Sequence, residues 1–399
     1  MVYLSSLTLI SSEKNMDNFT FQNPTKILFG RGQIAGIANE IPKNAKVLMT
    51  YGGGSIKKNG VYEQVVDALK DHTVIEFHGI EPNPHYETLM RAVEICKKEN
   101  IDYCLAVGGG SVIDGTKFIA AGATFEGDPW DFIEKRTAVT NPLPIGAVLT
   151  LAATGSEMNG NSVINHKAKG VKLGFRSALL YPQFSVLDPE TTFSLPLKQV
   201  SNGIVDAFTH VMEQYLTYPA DGHLQDRFAE SILQTLIEVG PVTLENPRDY
   251  EARASFVWSA TLALNGLIGC GVPSDWATHM IGYSLTVEHG LDHAQTLAIL
   301  LPTIMDYKRE TKREKLLQYA ERVWNITEGD ENKRIDAAIQ KTRAFFESVN
   351  VKTRLSDYNI DASHIDKLVE IFDAGNLAPA GEHKDIHLED AHKIFTESL

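Results

Sequence analysis

The chain has 399 residues, 43% of them hydrophobic and 22% charged, with a formal net charge of -14. This is an ordinary composition for a globular protein, with enough chain for two domains or one large one. The acidic balance argues against a nucleic-acid partner, no basic helix suggests a membrane surface, and no apolar run approaches the roughly 20 residues that span a bilayer.

The opening stretch "MVYLSSLTLISSEKN" lacks both a basic n-region and a long apolar h-region. Residues 1–15 therefore read as an N-terminal extension, or as the product of a start site upstream of Met16, and not as a signal peptide. From there to Pro196, short β-rich runs alternate with helical patterns. "AKVLMTYGGGS" is an apolar strand ending in glycines, followed by the helix "VYEQVVDAL". "TVIEFHGI" and "YETLMRAVEICKKEN" repeat the pair, as do "IDYCLAVGGGS" and "VIDGTKFIAAGA". Such alternation predicts a parallel sheet covered by helices, and the continuous apolar runs predict strands buried on both faces. Beyond "DPETTFSLPLKQ" the texture changes. "DRFAESILQTLIEVG", "ARASFVWSATLALNGLIG", "REKLLQYAERVWNIT", "IDAAIQKTRAFFESVN" and "HIDKLVEIFDAG" all carry helical spacing, with no convincing strand. An α/β half is thus expected before an all-helical half. Cys96, Cys104 and Cys270 are odd in number and form no C-x-x-C, which predicts free thiols and suits a reducing cytoplasm.

Two glycine triplets follow apolar strands: Gly52, Gly53, Gly54 with Ser55, and Gly108, Gly109, Gly110 with Ser111 and Asp114. A strand, a glycine turn and a helix bring free backbone N–H groups and the helix dipole to one point, which attracts phosphate. Neither triplet has the G-x-G-x-x-G spacing, and one alone is equally well a tight turn. Two at successive strand ends of one sheet point to a dinucleotide, because ligands bind at the carboxyl ends of parallel strands. No acid lies near the first triplet to bond a ribose 2′-hydroxyl, whereas Lys57 and Lys58 follow it. That favours NADP over NAD, although lysines on a surface are usually just solvated. "LTLAATGSE" supplies Thr150, Thr154 and Ser156 after another apolar strand, as partners for a ribose or an amide or simply for the turn backbone.

In "SNGIVDAFTHVMEQYL" a polar opening leads into an apolar helical stripe that also contains Asp206 and His210, four apart and on one face. "WATHMIGYSLTVEHGLDHAQTLAILLP" adds His279, His289 and His293. His289 and His293 are also four apart, but Gly290 lies between them, and spacing alone does not choose between the two. A buried Asp206 without a neighbouring arginine requires a cation, and an Asp with two or three histidines suits Zn²⁺ or Fe²⁺. Trp258, Leu262 and Trp276 near these segments are candidates for a substrate pocket, with helix packing the commoner role.

Taken in order, "PTKILFG", "YGGGSIKKNG", "GIEPNP", "AVGGGSVIDGTKFIA", "TLAATGSE", "VSNGIVDAFTHVMEQY", "LNGLIGCGVPSDWATHMIG" and "HGLDHAQTLAILLP" resemble the iron-containing (group III) alcohol dehydrogenases, in the NADPH-dependent aldehyde reductase and butanol dehydrogenase branch. The resemblance runs from about Met16 to the C-terminus. It implies a Rossmann-like parallel-sheet, dinucleotide-binding domain over residues 16–196 and an all-helical metal-binding domain over 197–399, with the site between them. It implies one divalent ion, Fe²⁺ or Zn²⁺, on Asp206, His210, His279 and His293, so it selects His293 over His289. It places the pyrophosphate loop on Gly108 to Ser111 with Asp114 beside it, ribose and nicotinamide contacts on Thr150, Thr154 and Ser156, and a further contact on Lys172. NAD-preferring relatives carry an Asp that corresponds to Gly53, which agrees with NADP(H). Many relatives have a proposed relay histidine where this chain has Tyr283, leaving Tyr283, His289, a ribose hydroxyl or water for the proton. The activity implied is reversible hydride transfer between NADPH and short- to medium-chain aldehydes, and the family tendency implies a homodimer. The competing readings are a lyase or cyclase of the dehydroquinate-synthase type, which would need more basic residues near the metal, and a non-catalytic module that binds metal and nucleotide.

Overall fold

The computed structural model describes residues 15–399; the extension expected over residues 1–15 lies outside them except for Asn15. Eight strands form: β1 (Lys26–Phe29), β2 (Lys46–Tyr51), β3 (Thr73–His78), β4 (Tyr103–Gly109), β5 (Ile145–Leu151), β6 (Asn161–His166), β7 (Val171–Arg176) and β8 (Phe184–Leu187). Six of them make one sheet in the order β1-β8-β5-β4-β2-β3, and every pairing is parallel. β6 and β7 form a separate antiparallel hairpin. The helices Val61–Ala68, Tyr86–Glu99 and Gly110–Ala123 connect the strands where the alternating pattern predicts them. The edge strand β1, its neighbour β8 and the hairpin are additions to that reading.

Side chains on the two sheet faces enter different cores, as the two-residue strand period requires. Val47, Met49 and Tyr51 of β2, with Leu105 and Val107 of β4, pack beneath the first helices. Leu48, Cys104, Ala106, Ala147 and Leu149 point the other way and join one continuous core with Ile204, Phe208 and Val211 from the helical half. A third cluster, around Ile281, Leu285, Leu300 and Phe395, holds the C-terminal helices together. Past Pro196 the chain is helical as expected; among the described residues only an isolated bridge, Ala380 to Ile386, has strand character.

Two helix boundaries differ from the sequence pattern. The helix Leu197–Tyr215 begins a turn before "SNG", with Pro196 as its N-cap. The polar residues inside it are used: Asn202 donates to Asp292 Oδ2 at 2.9 Å, joining this helix to the cap of the helix His293–Tyr307. The helix Tyr250–Ala263 stops before "LNGLIG". Gly203 shows how closely the halves meet, since a Cβ there would lie 2.3 Å from the Ala152 carbonyl oxygen, in the loop after β5.

Each half also holds a buried polar cluster. Lys117, fully buried, donates to Ser156 O, Ser156 Oγ, Asn159 Oδ1 and Asn161 O, so the helix Gly110–Ala123 grips the loop between β5 and β6. A buried ammonium has three N–H donors to satisfy in place of water, and four acceptors surround this one. Near the start of the helix Ala277–His289, Asp275 Oδ1 accepts from Ala277 N at 2.7 Å, while Lys312 bridges Asp275 and Glu382. Burial and a hydrogen bond with Asp275 push the Glu382 pKa up to about 8.

Gly203→Ala should lower the thermal midpoint by an amount equivalent to about 1–3 kcal/mol, the usual cost of overpacking; an unchanged midpoint in calorimetry would refute the close contact. Glu382 has a folded-state pKa above its unfolded value, so its contribution is complete below pH 4.5 and is lost as pH rises through about 8. Thermal melts of Glu382→Gln should therefore show a flatter decline in stability across that interval than the parent protein, and parallel profiles would contradict the shift.

Candidate active site

Three helices bring the expected metal-binding residues together. Asp206 and His210 project from consecutive turns of Leu197–Tyr215, His279 from the first turn of Ala277–His289, and His293 opens His293–Tyr307. The Asp292 side chain and Gln295 form a reciprocal capping box that fixes where this last helix starts. Asp206 Oδ1 lies 3.6 Å from His210 Nε2, 3.9 Å from His279 Nε2 and 3.6 Å from His293 Nε2. Asp206, His279 and His293 each offer a ligand atom within 4.8 Å of the others. His210 falls outside that group of three and is linked to it by the Asp206 contact and by its ring, stacked 4.9 Å from that of His279.

The donor set fits a divalent ion. Asp206 Oδ1 and His279 Nε2 are buried, and neither has a hydrogen-bond partner among the described residues. Ligand atoms about 2.1 Å from one ion in a tetrahedron stand about 3.4 Å apart, close to the separations here. Burial opposes the charge on Asp206, yet His210, His293, His279 and Lys172 together hold its pKa below the ordinary carboxylate value. Burial also lowers the pKa of His210 and His293, a direction that stands for His293 even though 42% of its side-chain surface is accessible. Neutral imidazoles and an ionised carboxylate are the protonation states that bind metal. At His279 burial acts in the same downward sense, but Glu213 outweighs it and the pKa is raised.

The two candidates for proton transfer separate. Tyr283 is one turn beyond His279 on the same helix and shares its face. His289 ends that helix, roughly 15 Å of axial rise from His279, and its ring packs 5.0 Å from His364. Gly290, at φ 65°, terminates the helix there, so His289 and His293 belong to different elements. Of the aromatic candidates, Trp276 lies 5.3 Å from His279 and 6.1 Å from His210. Trp258 instead packs on Phe29 at the outer surface, and Leu262 is half-buried against the core.

Both glycine turns lie at carboxyl ends of sheet strands, after β2 and β4. Gly110 opens the helix Gly110–Ala123, where a Cβ would strike Thr154 Oγ1 at 2.3 Å, and a Cβ on Gly108 would strike Val112 at 2.6 Å. Gly109, as N-cap, supplies no side chain to the first N–H groups of the helix. In the other turn Gly54 adopts φ +91°, a Cβ on Gly52 would be 3.2 Å from Ile80 O, and the space around Gly53 is open. Ser55 begins the next short turn, and Lys57 lies over the Tyr62 ring with its Nζ 3.5 Å from Glu76. Ser111 Oγ accepts from Asn83 N, and Asn83 Oδ1 accepts from Lys172 Nζ at 2.7 Å. Burial lowers the Lys172 pKa while Asp114 and Asp206 support its charge, so this residue feels both halves.

Other expected coenzyme contacts already have protein partners. Ser156 Oγ donates to Asp114 Oδ1 at 2.5 Å, and Asp114 Oδ2 accepts from Val163 N at 3.0 Å. Thr154 Oγ1 accepts from Ser156 N, and Thr150 is buried in β5. These groups brace the loop beside the helix N-terminus. The sequence reading passed over Lys117, which braces the same loop, and Glu213, which contacts His279. Glu213 stands seven residues after Asp206, on the same helical face, and that spacing was the available signal.

The family profile "Iron-containing alcohol dehydrogenase" matches residues 24–189, and "Fe-containing alcohol dehydrogenase family, C-terminal" matches 200–399. The chain is 56% identical to the NADPH-dependent aldehyde reductase YqhD of Escherichia coli (strain K12), over 95% of this chain and 99% of that protein. It is 42% identical to the probable NADH-dependent butanol dehydrogenase 1 of Bacillus subtilis (strain 168), over 96% of this chain and 100% of the other. The crystal structure of E. coli K-12 YqhD superposes with a TM-score of 0.94 at 55% identity, covering 96% of this chain and 100% of that one. The chain belongs to the iron-containing alcohol dehydrogenase family.

Proposed function

We propose that the protein is a metal-dependent, NADP(H)-linked alcohol dehydrogenase that works as an aldehyde reductase on short- to medium-chain aldehydes. The observation that carries this reading is the convergence of three imidazole Nε2 atoms on one buried carboxylate oxygen. The 56% identity with an NADPH-dependent aldehyde reductase supports the coenzyme and the substrate class. In this reading residues 16–196 are the dinucleotide-binding domain and 197–399 the metal-binding domain. The enzyme acts as a homodimer in the cytoplasm, where Cys96, Cys104 and Cys270 stay free. No described helix is long and apolar enough to cross a membrane.

A divalent cation supplies Lewis acidity toward the aldehyde oxygen, and NADPH supplies the hydride. Asp206, His210, His279 and His293 hold the cation. Gly108 to Ser111 and the first N–H groups of the following helix bind the pyrophosphate. Thr150, Thr154 and Lys172 border the ribose and nicotinamide, while Asp114 and Ser156 hold the loop that positions them. Gly52 to Ser55 receive the adenosine end, with the open space at Gly53 left for a 2′-phosphate. Trp276 covers the ligand histidines with an apolar ring, which keeps water from the reacting atoms. The Tyr283 phenol is the proton donor to the reduced oxygen, in preference to the more distant His289.

His279→Ala should reduce kcat/KM for butyraldehyde, followed by NADPH absorbance, by at least about 10³-fold, the scale of losing an electrostatic group at the reacting oxygen. Full activity with full metal content would refute the ligand assignment. Gly53→Asp should shift the ratio of kcat/KM values toward NADH by about tenfold or more, since an acid there repels a 2′-phosphate and can bond a 2′-hydroxyl. An unchanged ratio would show that this turn does not select the coenzyme.

A further inference from the structure

We propose that Glu213 is a positioning residue for the metal centre. It holds His279 in the tautomer with its proton on Nδ1, so that Nε2 presents a lone pair to the ion. This inference rests on the metal-binding reading above.

One stripe of the helix Leu197–Tyr215 carries Asp206, His210 and Glu213, so a single rigid element supplies two ligands and the support for a third. The Glu213 side chain is only 2% exposed. Its Oε1 accepts from Thr278 N at 2.5 Å, and its Oε2 contacts His279 Nδ1. With the ring proton on Nδ1 both carboxylate oxygens act as acceptors, Oε1 from Thr278 N–H and Oε2 from His279 Nδ1–H. The other nitrogen, Nε2, then faces Asp206 Oδ1 at 3.9 Å. The Asp275 N–H donates to the Glu213 carbonyl at 2.8 Å, which fixes the segment leading into the His279 helix against the Glu213 turn. The arrangement is one-sided: His210 Nδ1 is buried and meets no carboxylate among the described residues, with only the Ala153 backbone beside the ring. Only His279, on a helix that has to be brought to Asp206, receives this carboxylate.

Glu213→Gln tests the idea with little change in shape. Both carboxylate oxygens accept, but an amide has one oxygen, so either Thr278 N–H or His279 Nδ1–H would face an N–H₂ donor. Zn²⁺ titrated into metal-stripped protein against a chromophoric chelator should bind about 10–100-fold more weakly to Glu213→Gln than to the parent, the range seen when the outer partner of a ligating histidine is removed. Thermal melts of the metal-free proteins measure any structural role separately. A lowered midpoint with unchanged Zn²⁺ affinity would overturn the proposal. If the parent protein binds no Zn²⁺, or His293→Ala binds it equally well, the metal-binding reading fails and this inference falls with it. Should Glu213→Gln not fold, ¹⁵N NMR of the Zn²⁺-loaded parent still decides: the proposal requires a protonated Nδ1 and a metal-bound Nε2 at His279, and the reverse assignment overturns it.

Discussion

A carboxylate removed from water must find positive charge or enough donors, and Asp206 finds neither in a conventional ion pair. Three imidazole nitrogens surround its Oδ1, and a protein arginine does not. Neutral imidazoles with lone pairs turned toward a carboxylate oxygen would be repulsive if nothing lay between them. A divalent cation reverses the sign of every one of these contacts. An ion bound among them would satisfy all of these groups at once, and the helices around the site keep them close together.

The surrounding structure supplies that constraint from several directions. Asn202 and Lys198 reach Asp292, so the helix of Asp206 holds the cap of the helix of His293. Asp275 caps the start of the His279 helix and is itself held by Lys312 and Glu382. Gly203 allows the Asp206 helix to press on the loop after β5, next to the helix Gly110–Ala123. The metal side and the coenzyme side thus share a packed core, and Lys172 is electrostatically linked to carboxylates in both. Distances in the site follow from that junction more than from any loop.

Much of this was legible in the sequence because the chemistry was written at short range. The i, i+4 spacing of Asp206 and His210 gave a shared helix face, and apolar runs ending in glycines gave strands of a parallel sheet. The choice between His289 and His293 was not available from spacing, because it depends on Gly290 ending one helix and Asp292 capping the next. The hairpin β6–β7 escapes such a reading because β6 alternates buried and half-buried residues, β7 is half-buried to exposed, and neither carries a continuous apolar run. Lys117 looked like an ordinary lysine, and only the folded loop shows its four acceptors. Asp114 and Ser156 read as coenzyme contacts because they lie in the right motifs, while the structure reveals their bond to each other. Side chains that act by holding a neighbour leave little periodic trace.

The central claim is one ion among four side chains, and anomalous X-ray scattering from crystals grown with Fe²⁺ or Zn²⁺ tests it most directly. The account predicts a single strong peak within coordination distance of one Asp206 carboxylate oxygen and of the Nε2 atoms of His210, His279 and His293. A peak elsewhere, or electron density showing these four groups hydrogen-bonded to one another with no ion between them, would contradict it.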